Sequence, residues 1–278
     1  MLNIQKILIE AFVKELSAYY SENFGILELE NRYILPWFGR LALENISNSD
    51  LLYHDVEHTI MASLAGQEIL KGKHLSEGGV TFDDWVHFMI ALLCHDIGFV
   101  RGICKNDNGN KYATGIKEEV VEISDSGTDA ALAPYHVDRS KLFVRERFSH
   151  TSYTHIDTER ICAYIEMTRF PIPKDSFYQD TKNYGGLVRA ADLIGQLGDP
   201  QYLKKLPALF YEFSELGLNA QYGYENPGDL RRGYASFYWN IIRPYIQDAL
   251  DYLRVTHEGR QWIANLHSHV FDVEHNEK

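Results

Sequence analysis

The sequence predicts an all-α fold, a compact bundle of many helices. Apolar residues recur at intervals of three and four along most of the chain, as they do on the buried side of amphipathic helices. These segments are separated by turn and cap residues, and no stretch shows the alternation of apolar and polar residues that would predict a strand. Hydrophobic residues make up 45% of the 278 residues, which is enough for the core of one large domain.

The first four predicted helices follow from this spacing. They cover 3–23, 32–46, about 54–70 and a segment after Thr81. Asn48-Ser49-Asp50 supplies turn and cap residues before the third helix, and Thr81-Phe82-Asp83-Asp84 supplies a cap and an acidic first turn for the fourth. The fourth helix is apolar on nearly every side. We therefore expect it to be central and to present His95 and Asp96 at its C-terminal end.

The rest of the chain is predicted to be helical except for a long middle segment. From 98 to 149 the periodicity weakens and glycines are frequent, which favours loops and short helices that could cover a site. Asn226-Pro227-Gly228-Asp229 is predicted to be a turn. Further helices are predicted after Asp157, over 184–197, from Pro200, over 230–254 with Pro244 inside it, and over 257–271.

Composition and charge exclude several classes of function. The net charge of −12 argues against the basic surface with which proteins bind nucleic acid. No apolar run reaches the roughly 20 residues of a membrane span, and the N-terminus lacks the features of a signal peptide. Cys94, Cys104 and Cys162 form no CxxC pair and fit a reducing compartment. We expect a cytoplasmic protein that binds neither nucleic acid nor a membrane, and a homodimer remains open.

A set of histidines and aspartates predicts a metal site. His54 and His58 are four residues apart and would point the same way from one helical turn. His95-Asp96 follows at the end of the next helix. Asp192 lies in an apolar stretch, where an unpaired carboxylate is costly unless something neutralises it. Imidazole nitrogens and carboxylate oxygens suit a divalent ion, and the predicted ligands are His58, His95, Asp96 and Asp192.

These residues resemble the motifs of the HD-domain metal-dependent phosphohydrolase superfamily, and most of all the catalytic domain of cyclic nucleotide phosphodiesterases. The phosphodiesterase motif Tyr-His-Asn-x-x-His is similar to Tyr53-His54-Asp55-Val56-Glu57-His58. Further similar segments are His95-Asp96 followed by Arg101-Gly102, Glu166-Met167-Thr168-Arg169, Ala191-Asp192-Leu193-Ile194, and Phe237 with Pro244. The resemblance covers about residues 50–250 and implies a multi-helix bundle with the metal site at its centre.

The resemblance implies a ligand set and an arrangement of the domain. The tighter divalent ion would be held by His58, His95, Asp96 and Asp192. Its identity among Mn, Mg, Fe, Ni and Zn is left open, and Asp96 could bridge to a second ion. The whole chain, 1–278, would be a single domain with the metal-site core at about 50–200 and C-terminal helices at 200–272 packed over the pocket.

The resemblance also implies a reaction, in which Asp96 has a catalytic role. His54 would be the general acid that protonates the leaving oxygen, while a metal-bound hydroxide attacks phosphorus. Arg101 is a candidate phosphate clamp, and a surface ion pair is the equal alternative. The residues expected to contact the substrate are Tyr53, Tyr234 and Phe237.

Three departures from phosphodiesterases bear on the substrate and on a second ion. Phe99 lies in the region where a further histidine follows the His-Asp pair, and Asp55 replaces the asparagine of the first motif. Tyr234 takes the place of the glutamine that reads the purine, so the amide that pairs with a purine edge is absent. The predicted substrate is therefore a small-molecule phosphate ester, of a nucleotide or a related compound, and the resemblance alone does not establish a cyclic nucleotide as that substrate.

Other histidines leave alternatives open. His150 and His155 could bind a second ion, as extra histidines do in other HD-domain branches, or they could be polar loop residues. His136, in the segment that could cover the site, has the same two interpretations.

Two other functions compete with the hydrolase. An HD-domain oxidoreductase resembling inositol oxygenase would hold two irons and would need His150 or His155. A regulatory metal- or nucleotide-binding module would keep the metal group without turnover. The presence of His54 argues against that module.

Overall fold

A computed structural model of the chain describes residues 3–23, 33–149 and 156–276, and helices dominate it. The α-helices are α1 (Ile4–Asn23), α2 (Ile34–Ile46), α3 (Val56–Glu77), α4 (Phe82–Cys94), α5 (His136–Phe148), α6 (Thr158–Glu166), α7 (Tyr184–Leu197), α8 (Tyr202–Glu215), α9 (Leu218–Tyr222), α10 (Pro227–Phe237), α11 (Arg243–Leu253) and α12 (His257–Asn276). The predicted all-α class is confirmed. None of the described helices is long and apolar enough to cross a membrane.

A small β-hairpin interrupts the helices, contrary to the prediction that the chain has no strands. Strand β1 (Lys111–Ala113) pairs in antiparallel register with β2 (Val120–Glu122), so that Tyr112 faces Val121. Gly115 and Lys117, both with positive φ, lie in the connection. Strands of three residues are too short for alternation to be visible in a sequence.

Helix α3 begins later than predicted because its cap residue lies after His54. The Asp55 backbone is extended, and its side chain accepts a hydrogen bond from the backbone N–H of His58 at 3.0 Å. His54 is therefore outside the helix, and the predicted shared helical turn of His54 and His58 is wrong. The helix also continues to Glu77, beyond the predicted end near Leu70.

The predicted long helix over 230–254 is divided in two. The segment predicted to be a turn is the start of α10, where Asn226 and Asp229 form a reciprocal capping box with Pro227 in the first turn. A π-helical turn, Tyr238–Ile242, then joins α10 to α11. Pro244 is accommodated in the first turn of α11, where its missing N–H interrupts no helical hydrogen bond.

The core is built around α4 and around a very close contact between α3 and α7. Every residue of α4 from Trp85 to Cys94 is buried, as its apolar sequence predicted. A Cβ atom placed on Gly195 of α7 would lie less than 3.0 Å from the backbone of Ala62 in α3. Only glycine permits the two helix backbones to approach so closely. Ala62 lies four residues after His58, and Gly195 lies three residues after Asp192, so this contact sets the separation of two predicted ligands.

Candidate metal centre

His58, His95 and Asp192 converge at one point, with ligand atoms all within 4.8 Å of one another. The two imidazole Nε2 atoms are 3.3 Å apart. Asp192 Oδ1 lies 3.4 Å from Nε2 of His58 and 3.5 Å from Nε2 of His95. Adjacent ligands at about 2.1 Å from one ion are roughly 3.0–3.4 Å apart in octahedral or tetrahedral geometry. The group could therefore hold a metal ion.

Asp96 completes the predicted set. Its Oδ2 lies 3.2 Å from Nε2 of His58 and 3.1 Å from Nε2 of His95. The four side chains come from the first turn of α3, the C-terminal end of α4 and the middle of α7. Residues separated by more than 130 positions in the sequence are thus brought together as predicted.

The donor set suits a cation. His95 Nδ1 donates to the backbone carbonyl of Leu92 at 2.7 Å, so in the neutral ring the Nε2 lone pair faces the centre. Asp96 is 5% exposed, and its Oδ2 faces the Nε2 atoms of His58 and His95, which offer it a hydrogen only when those nitrogens are protonated. A buried carboxylate oxygen without a donor is costly, and a cation at the centre of the group would satisfy it.

The group binds protons in competition with an ion. Burial lowers the pKa of His58, but hydrogen bonds to Asp192 and Asp96 outweigh burial and raise this pKa to about 9. Burial raises the pKa of Asp192, but the charge of His95 and hydrogen bonds to both histidines outweigh it and lower this pKa to about 2. A metal ion must therefore displace a proton from an imidazole at neutral pH.

His54 pairs with Glu212, a residue that the sequence analysis did not select. His54 Nδ1 lies 2.6 Å from Glu212 Oε2, and Glu212 Oε1 accepts a hydrogen bond of 2.6 Å from the backbone N–H of Tyr53. Glu212 is a buried residue of α8. A carboxylate among the apolar residues Leu209, Phe210 and Phe213 is the same signal that identified Asp192, and it would have identified Glu212.

Glu212 favours the protonated form of His54. Burial alone would lower the pKa of His54, but the negative charge of Glu212 and its hydrogen bond outweigh burial and raise this pKa above the ordinary value of 6.5. Nε2 of His54 forms no hydrogen bond with any described residue. The centres of the His54 and His58 rings are 5.4 Å apart, so the His54 ring lies next to the metal group.

Phe99 links His54 to a third imidazole at the site. Its ring stacks against His54 at 5.0 Å and against His136 at 4.3 Å. His136 Nε2 lies 3.8 Å from Asp96 Oδ1, and its Nδ1 lies 2.6 Å from the carbonyl oxygen of Ala133. The segment predicted to cover the site thus contributes a histidine to it, at the first residue of α5.

Arg101 occupies the ion pair that was the alternative to a phosphate clamp. Its Nε lies 3.0 Å from Oδ1 of the buried Asp129, and its guanidinium also donates to the carbonyl of Gly127. The contact with Asp129 is an ion pair, and the contact with Gly127 engages one donor nitrogen of the guanidinium. A role in phosphate binding would require Arg101 to leave them.

The three predicted substrate contacts lie in different surroundings. Tyr53 lies beside the metal group, 5.6 Å from the ring of His58, but it is only 4% exposed and so offers a substrate almost no surface. Tyr234 is only 2% exposed, packs on Tyr202 and donates to the carbonyl of Leu197 at 3.4 Å, which leaves it no surface for a substrate. The prediction for Tyr234 is therefore not supported, because the late helix turns this residue into the aromatic core. Phe237 is half-buried and packs on Phe170 at 6.0 Å. His150 and His155 lie outside the described residues.

Fold and site together define an all-α protein with a buried His/Asp group that could hold a metal ion. A model of the Npun_R2479-like family matches residues 2–276. The chain therefore belongs to the Npun_R2479-like family over nearly its full length. No curated protein matches the chain.

Proposed function

We propose that this protein is a metal-dependent phosphohydrolase that cleaves a phosphate ester of a nucleotide or a related small molecule. The observation that carries the proposal is the His54–Glu212 dyad beside the metal group, with Nδ1 and Oε2 only 2.6 Å apart. Hydrolysis of an alkyl phosphate is accelerated by a cation near the phosphoryl oxygens and by a proton donor for the leaving oxygen. The resemblance to HD-domain phosphohydrolases assigns the same two roles.

Each residue has a defined part in this proposal. The ion would be held by His58, His95, Asp96 and Asp192. When bound, it would lower the pKa of water and neutralise charge on the phosphoryl oxygens. His54, kept protonated by Glu212, would give its Nε2 proton to the leaving oxygen. Glu212 would fix the orientation of the ring through Nδ1 and stabilise its positive charge.

The partly exposed side chains of the site are those of His54, His136 and Asp192. The side chains of His54, His136 and Asp192 are 21%, 18% and 15% exposed, whereas His58 and His95 are almost completely buried. A substrate would therefore approach the ion from the side of His54, which places its leaving group next to the proton donor.

The dyad favours a hydrolase over the two alternatives. A binding module needs no proton donor with a raised pKa beside the ion. A di-iron oxygenase stays the second candidate because His136 supplies an additional imidazole beside Asp96, at 3.8 Å. Two bound irons and oxygen uptake without phosphate release would favour the oxygenase.

The test is an assay for phosphate release after removal of metal and reloading with Mn, Mg, Fe, Ni or Zn. Substrates should include phosphomonoesters, cyclic nucleotides, nucleoside triphosphates and p-nitrophenyl phosphate. We expect His54→Ala to lower kcat about 10²–10⁴-fold on alkyl esters, the range that a positioned proton donor contributes. The loss should be much smaller with p-nitrophenolate, since a good leaving group needs little protonation.

The control variants distinguish the role of the ion from the role of the general acid. Asp192→Asn should abolish turnover on every substrate, because it removes a ligand of the ion. His257→Ala, at the exposed first residue of α12, should change nothing. Unchanged turnover of alkyl esters in His54→Ala, or no turnover by the wild-type protein with any metal and substrate, would contradict the proposal.

A further inference from the structure

The ring of Phe99 lies between two imidazole rings of the site. It stacks on His54 with ring centres 5.0 Å apart and an interplanar angle of 20°, and on His136 at 4.3 Å and 13°. Phe99 is itself only 3% exposed. Its side chain has no polar atom, so what it contributes to the site is the two flat faces of the ring.

The His54 ring needs a contact on its face in addition to its hydrogen bond. An imidazole that is attached at Cβ and held at Nδ1 by Glu212, 2.6 Å away, can still tilt about the line through these two points. Nε2 lies off that line and moves when the ring tilts. The rings of Tyr53 and His58 both meet His54 at 79°. Among the aromatic rings that the structure describes, Phe99 is therefore the one that lies flat against His54 and opposes the tilt.

Helix α5 fixes the backbone on both sides of Phe99. Ser140 Oγ accepts a hydrogen bond of 2.9 Å from the backbone N–H of Gly98. The Arg139 guanidinium donates to the carbonyl oxygen of Gly98 at 2.6 Å and to that of Val100 at 2.9 Å. Both side chains are fully buried. The position of the Phe99 ring is thus set by its neighbours in the chain, which α5 holds in place.

His136 covers the other face of Phe99 and prevents it from turning away from His54. Nδ1 of His136 lies 2.6 Å from the carbonyl oxygen of Ala133, which can only accept a hydrogen bond, so the His136 ring is itself held. A Cβ atom on Gly98 would lie 2.0 Å from the backbone oxygen of His136. The start of α5 therefore packs directly against the turn that carries Phe99.

We propose that Phe99 is the positioning residue of the proton donor: its ring, held against His136, keeps Nε2 of His54 directed at the leaving oxygen. This role rests on the proposed function, and Phe99 acts through His54 without contacting the substrate. The sequence has Phe99 in the region where phosphodiesterases have a further histidine, so in this chain a supporting surface takes that place. A misplacement of a reacting group by about 1 Å can cost about 10²-fold in rate.

The test compares Phe99→Leu with Phe99→Tyr in the full, metal-loaded chain. Leucine fills much of the space but has no flat face, whereas tyrosine keeps the ring. Phe38→Leu is the matched control, because Phe38 is also buried and its ring packs against Trp37 and Phe148. Turnover is measured on an alkyl phosphate and on p-nitrophenyl phosphate. Metal content and thermal unfolding verify that each variant is loaded and folded.

We expect Phe99→Leu to lower kcat for the alkyl ester about 10–10²-fold with little change in KM, since the proton donor is present but misaligned. The loss should be much smaller with p-nitrophenyl phosphate, whose leaving group needs little protonation. Phe99→Tyr should recover most of the alkyl turnover. Phe38→Leu should leave the ratio of the two kcat values unchanged, which distinguishes positioning from a general loss of stability.

A double substitution tests whether Phe99 acts through His54. Contacting residues that serve one step have non-additive effects. In the His54→Ala background, Phe99→Leu should therefore cause no further loss of alkyl turnover.

Nuclear magnetic resonance detects the stack without any turnover. A proton that lies over the face of an aromatic ring resonates upfield of its ordinary position. The carbon-bound ring protons of His54 and His136 should be shifted upfield in the wild-type protein and in Phe99→Tyr. In Phe99→Leu they should return towards the values of free histidine.

The outcomes separate this inference from the proposed function. A wild-type ratio of alkyl to p-nitrophenyl turnover in Phe99→Leu would overturn the inference, as would an equal loss of alkyl turnover in the presence and absence of His54. Ring protons of His54 that are not shifted in the wild-type protein would also overturn it. Each of these results would leave the hydrolase proposal intact. A wild-type protein that turns over no phosphate ester with any metal would overturn both.

Discussion

Among single residues, Glu212 has the clearest testable effect, because it acts to raise the pKa of His54. Its charge outweighs burial and raises the pKa of His54. The proton-donating form is therefore present below this raised pKa and is lost as the pH rises through it. Glu212→Gln removes the charge but keeps the size of the side chain. The alkaline limb of the pH profile of kcat/KM for an alkyl phosphate should shift to lower pH.

At pH values above the shifted alkaline limb, Glu212→Gln should lower kcat/KM by up to about 10²–10⁴-fold, which is the contribution of a positioned acid. Glu215→Gln is the matched control, since Glu215 lies one turn further along α8 and binds Thr128 instead. An alkaline limb that stays in place in Glu212→Gln would show that another group is the acid. Metal content should be measured in parallel, because Glu212 makes no contact with the four predicted ligands.

A site residue can be recognised in the sequence when its side chain is charged and its neighbours in the sequence are apolar. Asp192 was found because a carboxylate in an apolar helix needs a partner, and the structure supplies His58 and His95. Glu212 obeys the same rule and could have been found. For His136 the sequence left two interpretations open, because a histidine 40 residues after Asp96 in a weakly periodic segment has no fixed relation to it. Only the tertiary structure brings the two together.

At the scale of helices, the contact between α3 and α7 controls the metal group. Gly195→Ala would place a methyl group less than 3.0 Å from the backbone of Ala62. Overpacking of this kind costs about 1–3 kcal/mol in the free energy of unfolding. Since the helices must separate, His58 and Asp192 would also move apart, and affinity for the first ion should fall. Chemical denaturation and metal titration measure the two effects.

Gly233→Ala is the control for Gly195→Ala. Gly233 also lies inside a helix, but it has no close neighbour. A Cβ there would meet only the Tyr224 hydroxyl at 4.0 Å. Alanine in a helix interior is favoured over glycine by about 0.5–1 kcal/mol, so this variant should be neutral or slightly more stable. Gly195→Ala with wild-type stability and metal affinity would contradict the proposed importance of the contact.

Helix boundaries were predicted well where the signals are local. Helix α7 covers the predicted 184–197, since Asn183 caps its start and Gly198 follows its end. Helix α3 starts at Val56, two residues later than predicted, because Asp55 is its N-terminal cap. The division of 230–254 depends on a π-helical turn, for which the sequence offers no simple pattern.

For the whole molecule, periodicity predicted the class but not the arrangement of the helices. Amphipathic spacing shows which residues are buried, and one hydrophobic cluster indeed extends from Ile9 to Val273. The spacing does not determine which helices pack together, because many pairings bury the same apolar area. The prediction that α3, α4 and α7 would meet came from the ligands that they carry and from the resemblance to HD-domain proteins.

A bound ion should stabilise the whole protein, because its ligands come from segments of the chain that are brought together only in the folded state. An ion that binds only the folded state adds about 2.7 kcal/mol at a concentration 100 times its Kd. For a chain of this size, each kcal/mol raises Tm by roughly 2–4 °C. Chelation should therefore lower Tm by roughly 5–10 °C, and Asp192→Asn should show no difference between chelated and metal-loaded samples.

The size of this stabilisation should depend on pH in a defined direction. His58 has a pKa raised to about 9, so at neutral pH its imidazole is protonated in the metal-free protein and the ion must displace that proton. Affinity and the shift in Tm should both increase as the pH rises from 7 towards 9, and they should shrink at acidic pH. A shift in Tm that is the same at all these values, or that survives in Asp192→Asn, would place the stabilising ion elsewhere in the molecule.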